Sequence, residues 1–388
     1  MIKFENVTKM YPGTSSPAVD NLSFTVPTGE ICTIVGPSGC GKTTTMKMVN
    51  RLIEPTGGDI YVLDERGETR NVLEMDPILL RRSIGYIIQQ IGLFPHRTIL
   101  ENIGTVPQMM GWDEARIRSR AGELVEMMNM PLEFLDRYPH ELSGGQRQRI
   151  GVARGMAVDP PVMLMDEPFG AIDPINRNTL QNEFLRLQQE IKKTVLFVTH
   201  DIDEAIKMGD KICILNVGGL LEQFDSPANI LAHPANKFVE DFVGADRALK
   251  RLNLVRVDEV MDAHPALLQA TQSVEQAVGF MHEQGRKFLY VIDADRTLKG
   301  YVRLRDLKGK TGWVDEFVEP AATAIRVGTN LKDALSEMLV VDYANVCVVD
   351  AQNRVRGLVN TEMIHEAVVE SSAAIGEVGK EQANEREG

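Results

Sequence analysis

Residues 30–53 read EICTIVGPSGCGKTTTMKMVNRLI. An apolar, β-branched run, Ile31–Val35, gives way to Gly36-Pro37-Ser38-Gly39-Cys40-Gly41-Lys42-Thr43, and a helical pattern follows. The middle stretch fits the G-x-x-x-x-G-K-[ST] phosphate loop, in the strand-before, helix-after context that the loop requires. Glycines let the backbone turn tightly, so that successive N–H groups aim at phosphate oxygens, and the helix adds its positive N-terminal end. Lys42 is expected to reach the outer phosphates of a bound nucleotide. Thr43 is expected to place its hydroxyl on Mg²⁺, with Thr44 beside it in the cradle. A chance glycine-rich turn would not arrive with both flanking elements.

Working outward, β-rich runs at Val162–Met165, Val195–Thr199 and Lys211–Leu215 alternate with helical patterns up to about residue 245. Such alternation predicts an α/β fold with a largely parallel sheet. Asp76-Pro77 reads as a helix start, with Asp as the cap and Pro at the first helical position. Residues 95–158 read mainly as helices, an insertion into the nucleotide-binding core. The apolar run from Val162 ends in Asp166-Glu167. A carboxylate at a buried strand tip can hold Mg²⁺, which marks Asp166 as a candidate metal ligand. Glu167, next to it, is placed to polarise an attacking water.

The chain has 388 residues, enough for two or three domains, and a net charge of −13. That acidity argues against a nucleic-acid binder, which carries a basic footprint. It also gives little hold on anionic lipid, so membrane attachment is expected to go through a protein partner. No run of about 18 apolar residues and no apolar N-terminal stretch occurs, so a cytosolic chain without a membrane span is expected. Cys32, Cys40, Cys213 and Cys347 are scattered without a CxxC pair and read as reduced, buried thiols.

Past a linker over 246–256, the sequence repeats itself at a shift of 57 residues. Ala277 falls on Ala334, Met281 on Met338, Val291 on Val348, Asp293 on Asp350, Gly300 on Gly357 and Val302 on Val359. Each copy reads as helix, strand, acidic turn, Gly-led strand and helix. Copies of this size are small for separate cores and are expected to pack together as one unit. The polar end, 371–388, reads as a disordered tail.

Leu142-Ser143-Gly144-Gly145-Gln146 resembles the signature motif of ABC ATPases, and the phosphate loop, the signature and the Asp-Glu strand stand in that family's order. The resemblance covers residues 1 to about 245. It implies a P-loop NTPase (ABC ATPase) with a helical subdomain. It also implies that Gln89 contacts Mg²⁺ and the attacking water, that Asp173 is the D-loop aspartate, and that His200 lies near the γ-phosphate. Tyr11 matches the residue that stacks on adenine. Ser143, Gly144, Gly145 and Gln146 of one copy are implied to cap the ATP held by Lys42 of another, making a homodimer.

The stretches IIQQIGLFPH and RYPHELSGGQRQRIGVARG resemble importers of glycine betaine, choline, carnitine or proline betaine. The repeat resembles a tandem α+β CBS pair, over 257–310 and 311–370. Those resemblances imply a separate membrane permease, an extracytoplasmic solute-binding protein or domain, no nucleic acid, and a place on the cytoplasmic face of the membrane. A regulatory nucleotide at the pair, ionic-strength sensing and a ligand-free dimerisation module all stay open, as does import of another solute. A soluble ABC ATPase of translation or repair fits less well, since no second cassette or basic surface is visible. A small-molecule kinase leaves the signature and the repeat unexplained.

Overall fold

A computed structural model of the chain describes residues 1–64, 67–88, 92–170, 172–341 and 345–367. Gln89 and the expected tail over 371–388 lie outside the described residues. The chain divides into two compact units, Met1–Gly244 and Ala245–Gly388.

In the first unit, β1 (Ile2–Lys9), β2 (Val19–Val26), β4 (Gly57–Leu63) and β5 (Thr69–Asn71) form an antiparallel sheet in the order β2-β1-β4-β5. A second sheet runs β10-β9-β3-β8-β7-β6, from β3 (Ile31–Val35), β6 (Ile84–Ile87), β7 (Val162–Asp166), β8 (Thr194–Val198), β9 (Lys211–Asn216) and β10 (Leu220–Asp225). Its strands are parallel except for the edge strand β10. β3, β7 and β8 are buried along their whole length. The reason is that both faces of this sheet are covered, so apolar runs replace alternation. Cys32, Ile34, Leu164 and Leu196 face a core shared with the antiparallel sheet and the helix Lys42–Val49. Ile31, Met163, Met165 and Phe197 face a second core, built with the helices between Ile99 and Ala157 and with the helix Pro174–Ile191. The expected insertion is indeed helical over its described residues, and Asp76 caps the helix Pro77–Ser83 by accepting from the N–H groups of Ile78 and Leu79.

The second unit holds two three-stranded sheets: β11 (Leu268–Gln269), β12 (Phe288–Ile292), β13 (Leu298–Arg303), and β14 (Ile325–Arg326), β15 (Asn345–Val349), β16 (Val355–Asn360). They are related by the 57-residue shift, and isolated bridges obey it too: Asp262 pairs with Leu358 as Glu319 pairs with Tyr301. The stretch 246–256, expected as a linker, is not a bare spacer. It carries the helix Arg247–Arg251 and buries Leu252.

The expected boundaries of the two copies also cut across the packing. Val257 lies in the core of the second copy, with Ile325, Met338 and Val348. Val314 lies in the core of the first, with Leu268, Met281 and Val291. Each copy therefore lends its leading segment, VDEVMD or VDEFVE, to the other. A third core, of Tyr290, Ile292, Tyr301, Cys347, Val349 and Val355, joins the two sheets. Copies of this size each bury too little alone, and exchange of segments merges them into one cooperative body.

Candidate nucleotide site

Four expected site segments follow the carboxyl ends of neighbouring parallel strands. The phosphate loop follows β3, Glu167 follows β7, His200 follows β8 and, in sequence, Gln89 follows β6. In open α/β sheets ligands bind at this edge. The strand tips are level, because Ile34 and Asp166 both pair with Val198.

In the phosphate loop, Gly36 stands at φ 151° and Gly41 at φ 95°, both in the region that favours glycine. Lys42 is buried and curls back, its ammonium donating to the carbonyls of Gly36 at 2.8 Å and Pro37 at 3.0 Å. Cys40 is buried, and burial pushes its thiol pKa up, so it stays neutral. The Tyr11 hydroxyl and the Thr44 hydroxyl are 3.4 Å apart, and the Lys9 ammonium lies 5.2 Å from the Tyr11 ring centre.

The hydroxyl of Thr43 donates to Asp166 Oδ1 at 3.2 Å, 123 residues away in sequence. Burial raises the Asp166 pKa, and the Thr43 hydrogen bond and the nearby Lys47 oppose the shift. Two hard oxygens converging beside a phosphate cradle suit Mg²⁺, which takes one or two protein oxygens and completes its shell with water and phosphate. Glu167 has φ 45°, a left-handed conformation rare outside glycine and enriched at functional sites. Its N–H donates to the Val198 carbonyl at 2.9 Å, and its Oε2 lies 3.3 Å from His200 Nδ1. The carboxylate and the imidazole that the sequence marks separately are therefore neighbours.

Ser143 caps the helix Gly144–Gly155: its hydroxyl accepts from the Gln146 N–H, while the Gln146 side chain accepts from the Ser143 N–H. Asp173 caps the helix Pro174–Ile191. Ser143, Gly144, Gly145, Gln146 and Asp173 line one groove, and no residue of the 36–44 loop lines it. The Ser143 groove and the Lys42 loop are thus separate surfaces of one chain.

Sequence reasoning missed Thr199, Gln181 and Glu204. Glu204 accepts from the Gln181 side chain at 2.9 Å, and Thr199 Oγ1 accepts from the Asp201 N–H at 3.1 Å. The spacing of Glu204, four residues after His200 on a short helix, was the available signal.

A family model described as "ABC transporter" matches residues 19–170, and one described as "CBS domain" matches 257–310. Fold and site together define a phosphate-loop ATPase of the ABC cassette class. The chain is 47% identical, over 94% of its length and 95% of the relative's, to the osmoprotectant import ATP-binding protein OsmV of Salmonella typhimurium. It is 45% identical, over 96% of its length and 97% of the relative's, to the glycine betaine/carnitine/choline transport ATP-binding protein OpuCA of Bacillus subtilis. It belongs to this family of ABC transporter ATP-binding proteins, which pairs the cassette with a CBS region. Among solved structures, a dimeric bacterial ABC transporter cassette matches with a TM-score of 0.51 and 34% identity, over 58% of this chain and 99% of that one. The same cassette in a dimeric post-hydrolysis state bound to ADP and phosphate matches at 33% identity.

Proposed function

We propose that this chain hydrolyses ATP between two copies of itself to drive import of quaternary-amine osmoprotectants, of the glycine betaine, carnitine and choline class, through a separate membrane permease. The observation that carries the ATP half is the separation of the Ser143 groove from the Lys42 loop within one chain. A surface of helix N-terminal N–H groups with no phosphate loop of its own is completed by a second protomer. The substrate half rests on identity of 45–47% along nearly the whole chain to import ATP-binding proteins.

In this reading Gly36–Thr44 and Lys42 hold the phosphates, Tyr11 stacks on adenine, and Ser143 and Gly145 cap the partner's γ-phosphate. Thr43 and Asp166, with Gln89 by resemblance, would hold Mg²⁺, which when bound would neutralise developing charge on the phosphates. Glu167 orients and deprotonates the water, His200 steadies Glu167 and the γ-phosphate, and Asp173 lines the shared groove. Among the described residues no helix is long and apolar enough to cross a membrane. The protein works at the cytoplasmic face, bound to its permease and served by an extracytoplasmic solute receptor.

A regulatory nucleotide fits one cleft of the second unit, lined by Asp262, Arg286, Lys287, Tyr290, Asn345 and Asn360. At the positions related by the 57-residue shift to Leu358, Asn360 and Asp262 of that cleft, Tyr301 donates to Glu319, and Arg303 donates to the Tyr301 hydroxyl and pairs with Glu319 at 3.4 Å. The two copies therefore differ in the polar groups they offer a ligand: Tyr301, Arg303 and Glu319 stand where the other copy has Leu358, Asn360 and Asp262. Titration of the full chain with adenine nucleotides and cyclic di-AMP tests the regulatory nucleotide: absence of heat from every titrant overturns it.

The deciding experiment for the ATPase reading is Glu167→Gln. It is expected to lower kcat at least 100-fold and to trap an ATP-bound dimer in size-exclusion chromatography. Hydrolysis by that variant at the normal rate would sink the assignment of the base.

A further inference from the structure

The helix Ile202–Met208 places a half-buried carboxylate, Glu204, behind the turn that carries His200. Two groups hold it. The Gln181 side-chain amide, itself buried, donates to Glu204 Oε1 at 2.9 Å, and the buried Thr199 hydroxyl hydrogen-bonds the same carboxylate. Thr199 is doubly engaged, since its oxygen also accepts the Asp201 N–H at 3.1 Å. Thr199 and Asp201 flank His200, so this bond closes the turn that carries it. Asp201 in turn accepts from the N–H groups of Asp203 and Glu204, fixing the start of the helix.

On the other side, Gln181 lies on the helix Pro174–Ile191, one turn after Arg177. Arg177 donates to the Ile172 carbonyl at 3.0 Å, immediately before Asp173, and its charge acts on Glu204. A continuous path therefore joins Asp173's loop, through Arg177 and Gln181, to Glu204, Thr199 and the His200 turn. A carboxylate that loses water on burial is costly to keep. Desolvation does raise its pKa, and the Thr199 and Gln181 bonds oppose the rise. Nothing in the phosphate cradle uses it.

We infer that Glu204 is a positioning residue: it locks the Thr199–Asp201 turn so that His200 faces Glu167, and it ties that turn to the Asp173 loop. The inference rests on the assignment of His200 in the proposed mechanism. It adds that the imidazole works only while the carboxylate behind it is in place. A side chain that acts wholly through another has no effect once the other is gone, so the two substitutions must be non-additive.

The test is a double-mutant cycle on ATP hydrolysis by the full chain. Glu204→Ala is expected to lower kcat by about tenfold with KM for ATP within about twofold. Glu204→Gln, which keeps an acceptor for Thr199, is expected within about threefold of wild type. In a His200→Ala background, Glu204→Ala is expected to cause no further loss. Independent losses in the double variant, an unchanged kcat in Glu204→Ala, or a parallel rise in KM would overturn the inference. Should Glu204→Ala not fold, Gln181→Leu takes its place in the same cycle. The two readings fail differently: wild-type activity of His200→Ala alone removes the His200 assignment, whereas additive losses remove only the role of Glu204.

Discussion

Gly36 carries the tightest constraint in the cassette. A Cβ built there would sit 2.1 Å from the Leu215 carbonyl oxygen and 2.8 Å from Cys40 Sγ, at a φ that L side chains avoid. At Gly39 the same atom meets nothing within 4 Å, and only the left-handed φ of 79° opposes it. Gly36→Ala is therefore expected to abolish ATP binding in a fluorescent-nucleotide titration, whereas Gly39→Ala costs about 1 kcal/mol of stability. In the second unit, Asp350 accepts the N–H groups of Arg354 and Gln352 at 2.9 Å, and its Oδ2 lies 2.9 Å from the guanidinium groups of Arg354 and Arg356. These contacts, led by the Arg354 N–H, lower its pKa to about 2. A depressed carboxylate stabilises the fold above its unfolded pKa, about 4, and the benefit disappears as pH falls through the folded value. Asp350→Asn should lower the Tm of the second unit at pH 7, and the gap to wild type should close between about pH 4 and pH 2.

Helix starts show the same local motif put to different uses. Asp76 and Ser143 both cap by accepting backbone N–H groups, and each cap contributes about 1 kcal/mol. Asp76→Ala and Ser143→Ala are expected to cost similar stability in denaturant titrations, yet only Ser143→Ala should cut ATP hydrolysis, by tenfold or more. Equal hydrolysis by the two variants would mean that Ser143 is a cap and nothing else. The Asp76 start was legible, because capping is written in three or four consecutive residues. The network of Glu204 was not, since Gln181 and Glu204, 23 residues apart in the chain, meet only through the packing of two helices.

At the level of the whole molecule, the second unit folds by exchange of segments. Val257 is fully buried, and its core partners are Ile325, Met338 and Val348, not the strands of its own copy. Val257→Ala is expected to cost about 2 kcal/mol, from lost methyl burial and the cavity left behind. Hydrogen exchange should then report weaker protection in β15 and the helix Leu331–Val341, with β12 less affected. Val314→Ala should give the mirror result, weakening β12. The same exchange implies that cutting the chain between 310 and 311 yields two fragments that do not fold apart.

The sequence by itself determined the nucleotide loop, the Asp76 cap, the Asp-Glu strand end and the 57-residue repeat, because each is carried by neighbours whose side chains and backbone act on one another directly. Only the tertiary structure decided that Thr43 touches Asp166, that Glu167 faces His200, and that each repeat completes the other. Those are contacts across level strand tips and between packed layers, fixed by sheet order and by the burial of apolar faces, and no spacing along the chain encodes them.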